Sequence, residues 1–119
     1  MLEELIARVF CTRNMAHIAH WKTKSYAEHV ALGDFYDGAI DTIDKLVEAY
    51  QGSFGLIKDV PEEDDSMYGK PILDVLQEDA KFINKNRSKI ARNVASLENI
   101  VDELTDLYLT TIYKLKFLS

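Results

Sequence analysis

The residues that most often break helices are confined to one part of this chain. Its 119 residues include only two prolines and five glycines, and five of these seven lie between Gly52 and Pro71. On both sides of this region apolar residues recur at spacings of three and four, and no stretch alternates as a strand would. The sequence therefore predicts an all-α protein with one long ordered loop near residues 52–70, whose tip is acidic.

Two helices are predicted before that loop. Helix A covers Leu2–Lys22. Helix B begins at a capping box, in which Ser25 is the N-cap and Glu28 the third helical residue, and it runs to about Gln51 with Gly52 as its C-terminal stop. Only a few residues join the two helices, so we expect an antiparallel hairpin.

Two more helices are predicted after the loop. Helix C begins at Pro71 and ends between Ser88 and Ser96. Helix D follows with an apolar stripe of near-heptad spacing, formed by Leu97, Val101, Leu104, Tyr108, Ile112 and Leu115. The two hairpins make a four-helix bundle, and the long B–C connection favours the ferritin-like topology, in which one crossover runs the length of the bundle.

The composition is that of one ordinary globular domain spanning residues 1–119, with 47% apolar and 29% charged residues. Cys11 is the only cysteine, which excludes an internal disulfide and a zinc site made of cysteines and is typical of a reducing compartment. We find no signal peptide and no apolar run long enough to span a bilayer, so we expect a cytoplasmic protein with no membrane partner. The net charge of −6 argues against non-specific DNA binding.

All three histidines lie within residues 16–38, which also hold the only tryptophan, Trp21. His17 and His20 continue the apolar stripe of helix A, where a buried polar side chain needs a partner. Helix B offers such partners. His29 lies near its start, and a stripe of carboxylates follows: Asp37, Asp41, Asp44 and Glu48.

Imidazoles and carboxylates that converge within or between helix bundles are ligands of iron, manganese or zinc. We therefore predict a divalent-metal site made of two of these imidazoles and two of these carboxylates. The alternative is structural. In that case His17 is a hydrogen-bonded core residue, the acidic stripe is a solvated helix face, and Trp21 is a core or interface aromatic.

The spacing of these residues resembles that of the Dps-type mini-ferritins. His20 precedes Trp21, His29 follows early in helix B, and Asp44 and Glu48 stand fifteen and nineteen residues after His29. In that family the ferroxidase site lies at a subunit interface, with the histidines from one subunit and the later carboxylates from its partner. The resemblance implies that ferrous iron is bound between two subunits and oxidised by dioxygen or peroxide.

The sequence departs from that family at one ligand. The carboxylate expected four residues after His29 is replaced by Gly33, and Asp34 or His17 is the candidate for its role. The short layout and the end of the chain are also similar to small phage-encoded Dps-like proteins of undefined activity, which implies the host cytoplasm as its location. The protein is expected to be an enzyme only if the metal site is retained.

A basic segment predicts a different function. Such a patch favours a phosphate-bearing ligand such as a nucleotide, held by a non-enzymatic helical oligomer that sequesters a small anion or binds a protein partner. The alternative is an exposed helix end whose basic side chains complement the helix dipole. The segment spans residues 81–92 and contains no acidic residue; its five basic residues are Lys81, Lys85, Arg87, Lys89 and Arg92.

Self-association into at least a dimer is predicted for either function. The chain is short, and in the mini-ferritins a second subunit completes the site. Contact area is expected from four aromatic side chains of helix B, predicted to be exposed: Tyr26, Phe35, Tyr36 and Tyr50.

Overall fold

Four α-helices and no strand make up the structure, a computed structural model that describes residues 1–119. The helices are α1 (Leu2–Lys22), α2 (Tyr26–Phe54), α3 (Ile72–Ala91) and α4 (Ala95–Phe117), with a short 3-10 helix at Asp65–Met67. The predicted all-α four-helix bundle is confirmed. No helix combines the length and the apolar character that crossing a membrane requires.

The connection between α2 and α3 crosses the full length of the bundle. It starts at the beginning of α1, where the backbone N–H of Lys58 donates to the carboxylate of Glu3 at 3.0 Å. It ends near the last turns of α1, where Met15 and Ile18 border a cavity together with Ile72 of α3. As a result α2 and α3 run in the same direction and lie diagonally opposite each other, while α1 and α4 each pack against both. This is the single crossover that the long loop predicted.

The predicted end of the second helix was wrong by three residues. Gly52 lies inside α2 with open space around it, and the helix continues to Phe54. The cap is Gly55, whose φ of +90° is costly for other residues and whose N–H donates to the carbonyl of Gln51 at 2.9 Å. A glycine is tolerated within a helix, so spacing alone did not distinguish the two positions.

The core of the bundle corrects one predicted contact residue. Phe35 is fully buried and packs edge-on against Tyr108, with ring centroids 4.9 Å apart. It therefore joins α2 to α4 and offers no surface to a partner. Tyr36 and Tyr50 are half-buried, whereas Tyr26 is 81% exposed.

Candidate functional site

The three histidines lie where α1 turns into α2. Only residues 23–25 separate the two helices, and the hydroxyl of Ser25 accepts a hydrogen bond from the backbone N–H of Glu28 at 3.2 Å, which confirms the predicted N-cap. The tight turn places His20 in the last turn of α1 opposite His29 in the first turns of α2.

His20 and His29 exchange hydrogen bonds between ring and backbone. Nδ1 of His20 donates to the carbonyl of His29 at 2.5 Å, and Nδ1 of His29 donates to the carbonyl of His20 at 2.7 Å. A carbonyl only accepts, so each ring carries a hydrogen on Nδ1, and the tautomer with this hydrogen keeps a lone pair on Nε2. The rings stack with centroids 3.7 Å apart, and one carbonyl left unpaired at the end of α1 gains a donor.

Gly33 makes room for this pair. A Cβ atom at Gly33 would lie 3.1 Å from Cε1 and 3.3 Å from Nδ1 of His20, closer than ordinary van der Waals contact. The ring of His20 thus occupies the space beside the position where the mini-ferritin pattern has a carboxylate. A larger side chain at position 33 would displace it.

His17 and Trp21 extend the cluster along α1. The ring of His17 stacks on Tyr36 of α2 at 4.0 Å and is tilted against Trp21 at 4.4 Å. His17 is therefore an aromatic packing residue between the two helices. Trp21 is 68% exposed, so it is not a core residue, and its role in an interface stays a prediction.

The predicted carboxylate ligands do not lie beside the histidine pair in one chain. Asp34 is exposed, and its carboxylate is 4.0 Å from Nζ of Lys114 on α4. The helix rise of about 1.5 Å per residue places Asp44 about 22 Å along α2 from His29. No three His, Cys, Asp or Glu side chains of the chain are close enough to hold one metal ion. A metal site assembled from two subunits stays a prediction.

Asp44 and Glu48 are exposed, as the structural alternative expects for a solvated face. They border a shallow cavity of about 530 Å³ between α1, α2 and the crossover. The remaining lining of this cavity is apolar: Ile6, Phe10, Ile43, Val47, Ile57 and Val60.

The basic segment is divided among three environments. Arg87 donates from Nε and Nη2 to the carboxylate of Asp102 at 2.6 and 2.8 Å and from Nη1 to Glu98 at 3.1 Å, so it joins α3 to α4. These hydrogen bonds raise the pKa of Arg87 and lower that of Asp102. The guanidinium of Arg92 lies 4.0 Å from the ring centre of Phe54, at the end of the bundle. The remaining basic residues, Lys81, Lys85 and Lys89, are exposed along α3.

A buried carboxylate, that of Asp79, is a further candidate functional group that was not predicted from the sequence. Asp79 of α3 is fully buried and accepts hydrogen bonds from Thr12 at 2.5 Å, Tyr108 at 2.7 Å and Arg8 at 3.0 Å. Burial raises the pKa of Asp79, although all three hydrogen bonds oppose the change. The network ties α1, α3 and α4 together.

The signal for this network was present in the pattern of helix C. Asp79 follows Leu76 by three residues and precedes Ile83 by four, so it occupies a position on the buried stripe. Likewise the hydroxyl of Tyr108 on the stripe of helix D required a partner.

The chain is similar in sequence to a bacteriophage protein. It is 26% identical over 113 residues to the "Uncharacterized 14.6 kDa protein in mobD-ri intergenic region" of Enterobacteria phage T4, which covers 95% of this chain and 86% of that protein. No solved structure matches the chain. Residues 20–115 match the model of a family described only as being of unknown function. This description names neither iron nor a ferritin, so the resemblance to the mini-ferritins stays a prediction. The chain belongs to this family of unknown function, DUF5856.

Proposed function

We propose that this protein is a non-enzymatic, self-associating helical binding protein. The observation that carries the proposal is the apolar cavity between α1, α2 and the crossover, where Phe10 and Val60 are 39% and 40% exposed. Covering apolar surface is worth about 25 cal/mol per Å², and contiguous apolar patches on small proteins commonly mark contact sites. A second copy of the chain can cover this cavity through a two-fold interface.

The geometry of the histidines supports a role without catalysis. Both Nδ1 atoms are engaged by backbone carbonyls, and the ring of His20 is confined by Gly33 on one side and the stacked ring of His29 on the other. These contacts fix the α1–α2 hairpin, which positions the apolar cavity farther along the same two helices.

Self-association is tested by measuring the solution mass of two matched variants, each of which adds one negative charge to an exposed apolar position. Phe10→Asp places a carboxylate on the cavity, whereas Leu109→Asp places one on α4, where Leu109 is 51% exposed and away from the cavity. By light scattering we expect wild type and Leu109→Asp to be oligomers and Phe10→Asp to be monomeric. A monomeric wild type, or equal masses for the two variants, would contradict the proposal.

A metal site between subunits is a second candidate, favoured by two observations. The carboxylates of Asp44 and Glu48 lie one helical turn apart and take part in none of the ion pairs of the chain. The Nε2 atoms of His20 and His29 are not needed for the hydrogen bonds between ring and backbone. The residues of one chain alone do not fit a metal ion, so this candidate requires a partner subunit.

The geometry of an antiparallel dimer makes this candidate specific. If two α2 helices pack about a two-fold axis beside residues 36 and 37, His29 of one chain faces Asp44 of the other, since the axis is midway between them. Iron, manganese or zinc would suit these ligands, and ferrous iron would be the substrate of a ferroxidase.

Calorimetry under anaerobic conditions tests the metal candidate with ferrous iron, manganese and zinc. Asp44→Asn with Glu48→Gln removes the proposed ligands, and Glu103→Gln with Asp106→Asn removes the same charge from the exposed face of α4. The candidate predicts that only the first pair abolishes binding. Absence of binding to wild type, or equal loss in both pairs, would refute it.

We further propose that the protein acts in the cytoplasm, that of the bacterial host if a phage encodes it. The similarity to a phage protein and the single unpaired thiol of Cys11, which is buried, support this location.

A further inference from the structure

A second cavity, of about 670 Å³, opens at the far end of the bundle from the histidine pair. It lies where α1 begins, α2 ends and α3 turns into α4. Its volume lies within the range of cavities that hold small organic ligands.

One wall of this cavity is built of flat groups. The guanidinium of Arg92 lies over Phe54 at 4.0 Å, and the ring of Phe54 meets Tyr50 edge-on at 5.0 Å. Guanidinium and aromatic faces both stack on planar rings. The wall is therefore suited to a planar ligand.

The backbone at Arg92 adopts a conformation that favours glycine. Arg92 and Asn93 have φ angles of +52° and +62°, which L-residues rarely adopt in succession. The two residues form the left-handed C-terminal cap of α3, in which the backbone N–H of Asn93 donates to the carbonyl of Ser88 at 3.0 Å. From this cap the Arg92 side chain lines the cavity, whereas Asn93 does not.

The lining of the cavity is formally neutral, with three carboxylates and three cations, but two of its side-chain cations are unpaired. The side chains of Lys58 and Arg92 form no ion pair within the chain. Of the three carboxylates, Glu3 and Glu4 lie 3.6 and 2.9 Å from the single Met1 ammonium, and Glu3 also accepts the backbone N–H of Lys58 at 3.0 Å. Lys58 and Arg92 can therefore pair with one phosphate group, whereas a triphosphate would bring excess negative charge to a neutral lining.

We propose that this cavity binds a nucleoside monophosphate, a planar ring that carries one phosphate. The ring stacks on the wall formed by Arg92, Phe54 and Tyr50, and the phosphate accepts hydrogen bonds from Lys58 and Arg92. This inference deepens the proposed binding function and rests on it, because the ligand is held and released unchanged.

Calorimetry of the full chain with AMP, adenosine, inorganic phosphate and ATP tests the site. We expect AMP to bind at least about tenfold more tightly than any of the other three, since only AMP combines the ring with a matched charge. No binding of AMP, or equal affinity for inorganic phosphate alone, would overturn the proposal. Tighter binding of a 5′-phosphorylated oligonucleotide than of AMP would overturn the assignment to a free mononucleotide.

Two glycine substitutions separate the contribution of the Arg92 side chain to AMP binding from that of the backbone conformation. Arg92→Gly and Asn93→Gly each relieve one positive φ angle, but only the first removes the guanidinium. We expect at least about a tenfold loss of AMP affinity in Arg92→Gly and wild-type affinity in Asn93→Gly. Equal affinities in the two variants would overturn the proposal.

A lysine pair provides an independent check in case the turn variants fail to fold. Lys58→Ala should weaken AMP binding, whereas Lys89→Ala, an exposed lysine outside the cavity, should not. Equal effects would overturn the proposal. Light scattering on the same samples tests self-association separately from AMP binding. A monomer that binds AMP would refute self-association and leave the binding site intact. An oligomer that does not bind AMP would refute the binding site alone.

Discussion

His20 and His29 each donate from Nδ1 to the backbone carbonyl of the other, while their rings stack 3.7 Å apart. The two residues belong to different helices, so the paired hydrogen bonds fix the angle and register of the α1–α2 hairpin. With His17 packed on Tyr36 nearby, every imidazole of the chain contributes to this one junction. The concentration of histidines in one fifth of the sequence thus has a structural explanation that needs no bound metal.

The histidine pair should behave as one unit in stability measurements. His20→Ala or His29→Ala breaks the stack and one hydrogen bond directly, and each is expected to cost about 1 kcal/mol or more. The double variant should cost less than the sum, because the first substitution already disrupts the partner ring. Urea unfolding of the double-mutant cycle measures this coupling, with Tyr26→Ala as an exposed control. Additive costs would show that the two rings act independently.

Two glycines of α2 should respond oppositely to alanine. Gly52→Ala meets open space and should gain about 0.5–1 kcal/mol from helix propensity. Gly33→Ala should lose stability, because its methyl group would lie 3.1 Å from a ring held by two hydrogen bonds and a stack. In a His20→Ala background the same substitution should become stabilising. Equal gains at both positions in the wild-type background would contradict this packing.

The hairpin was predictable because its determinants are local. Ser25 and Glu28 mark the start of α2 within four residues of sequence, and the helical periodicity on either side of the loop is continuous. The contact between His20 and Gly33 was not predictable, since it depends on how closely two helices approach. From the sequence Gly33 was only a missing ligand, whereas the structure shows that it accommodates a ring.

The packing of the helices also decides which of the predicted site residues lie close together. The spacing of Asp44 and Glu48 correctly placed them on one face of α2. Within one chain they lie far along the helix from His29, and only a second subunit could bring these side chains next to a histidine. Asp79 lay on a readable apolar stripe, yet its partners Thr12 and Tyr108 come from two other helices. Spacing within a helix predicts a face, and only packing determines what that face contacts.

Asp79 should make stability fall as the pH rises. Burial raises the pKa of its carboxyl above the ordinary value of 3.8, so the folded chain binds this proton more tightly than the unfolded chain. Its contribution to the free energy of unfolding is therefore largest at low pH and decreases as the pH rises above 3.8. The Asp79→Asn variant lacks this titrating carboxyl group and therefore its pH-dependent contribution. The free energy of wild type minus that of the variant should decrease from about pH 4 to about pH 7 in urea titrations, and a constant difference would contradict the prediction.

Asp102 should have the opposite pH dependence. The hydrogen bonds from Arg87 lower its pKa below 3.8, so its contribution to stability is present above that value and is lost as the pH falls through the lowered pKa. Asp102→Asn should therefore be less stable than wild type at neutral pH and approach it in acid. Glu103→Gln is the control, because its ion pair with Lys45 is exposed and should contribute little. Similar pH profiles for the two variants would contradict the assigned role of Arg87.

The solution mass of the wild-type chain decides whether the protein self-associates. Light scattering at micromolar concentration, without added metal or nucleotide, should give at least twice the chain mass of 13.6 kDa, because in the proposed dimer a second copy covers the apolar cavity beside Phe10 and Val60. A mass of 13.6 kDa that does not change with concentration would contradict the account.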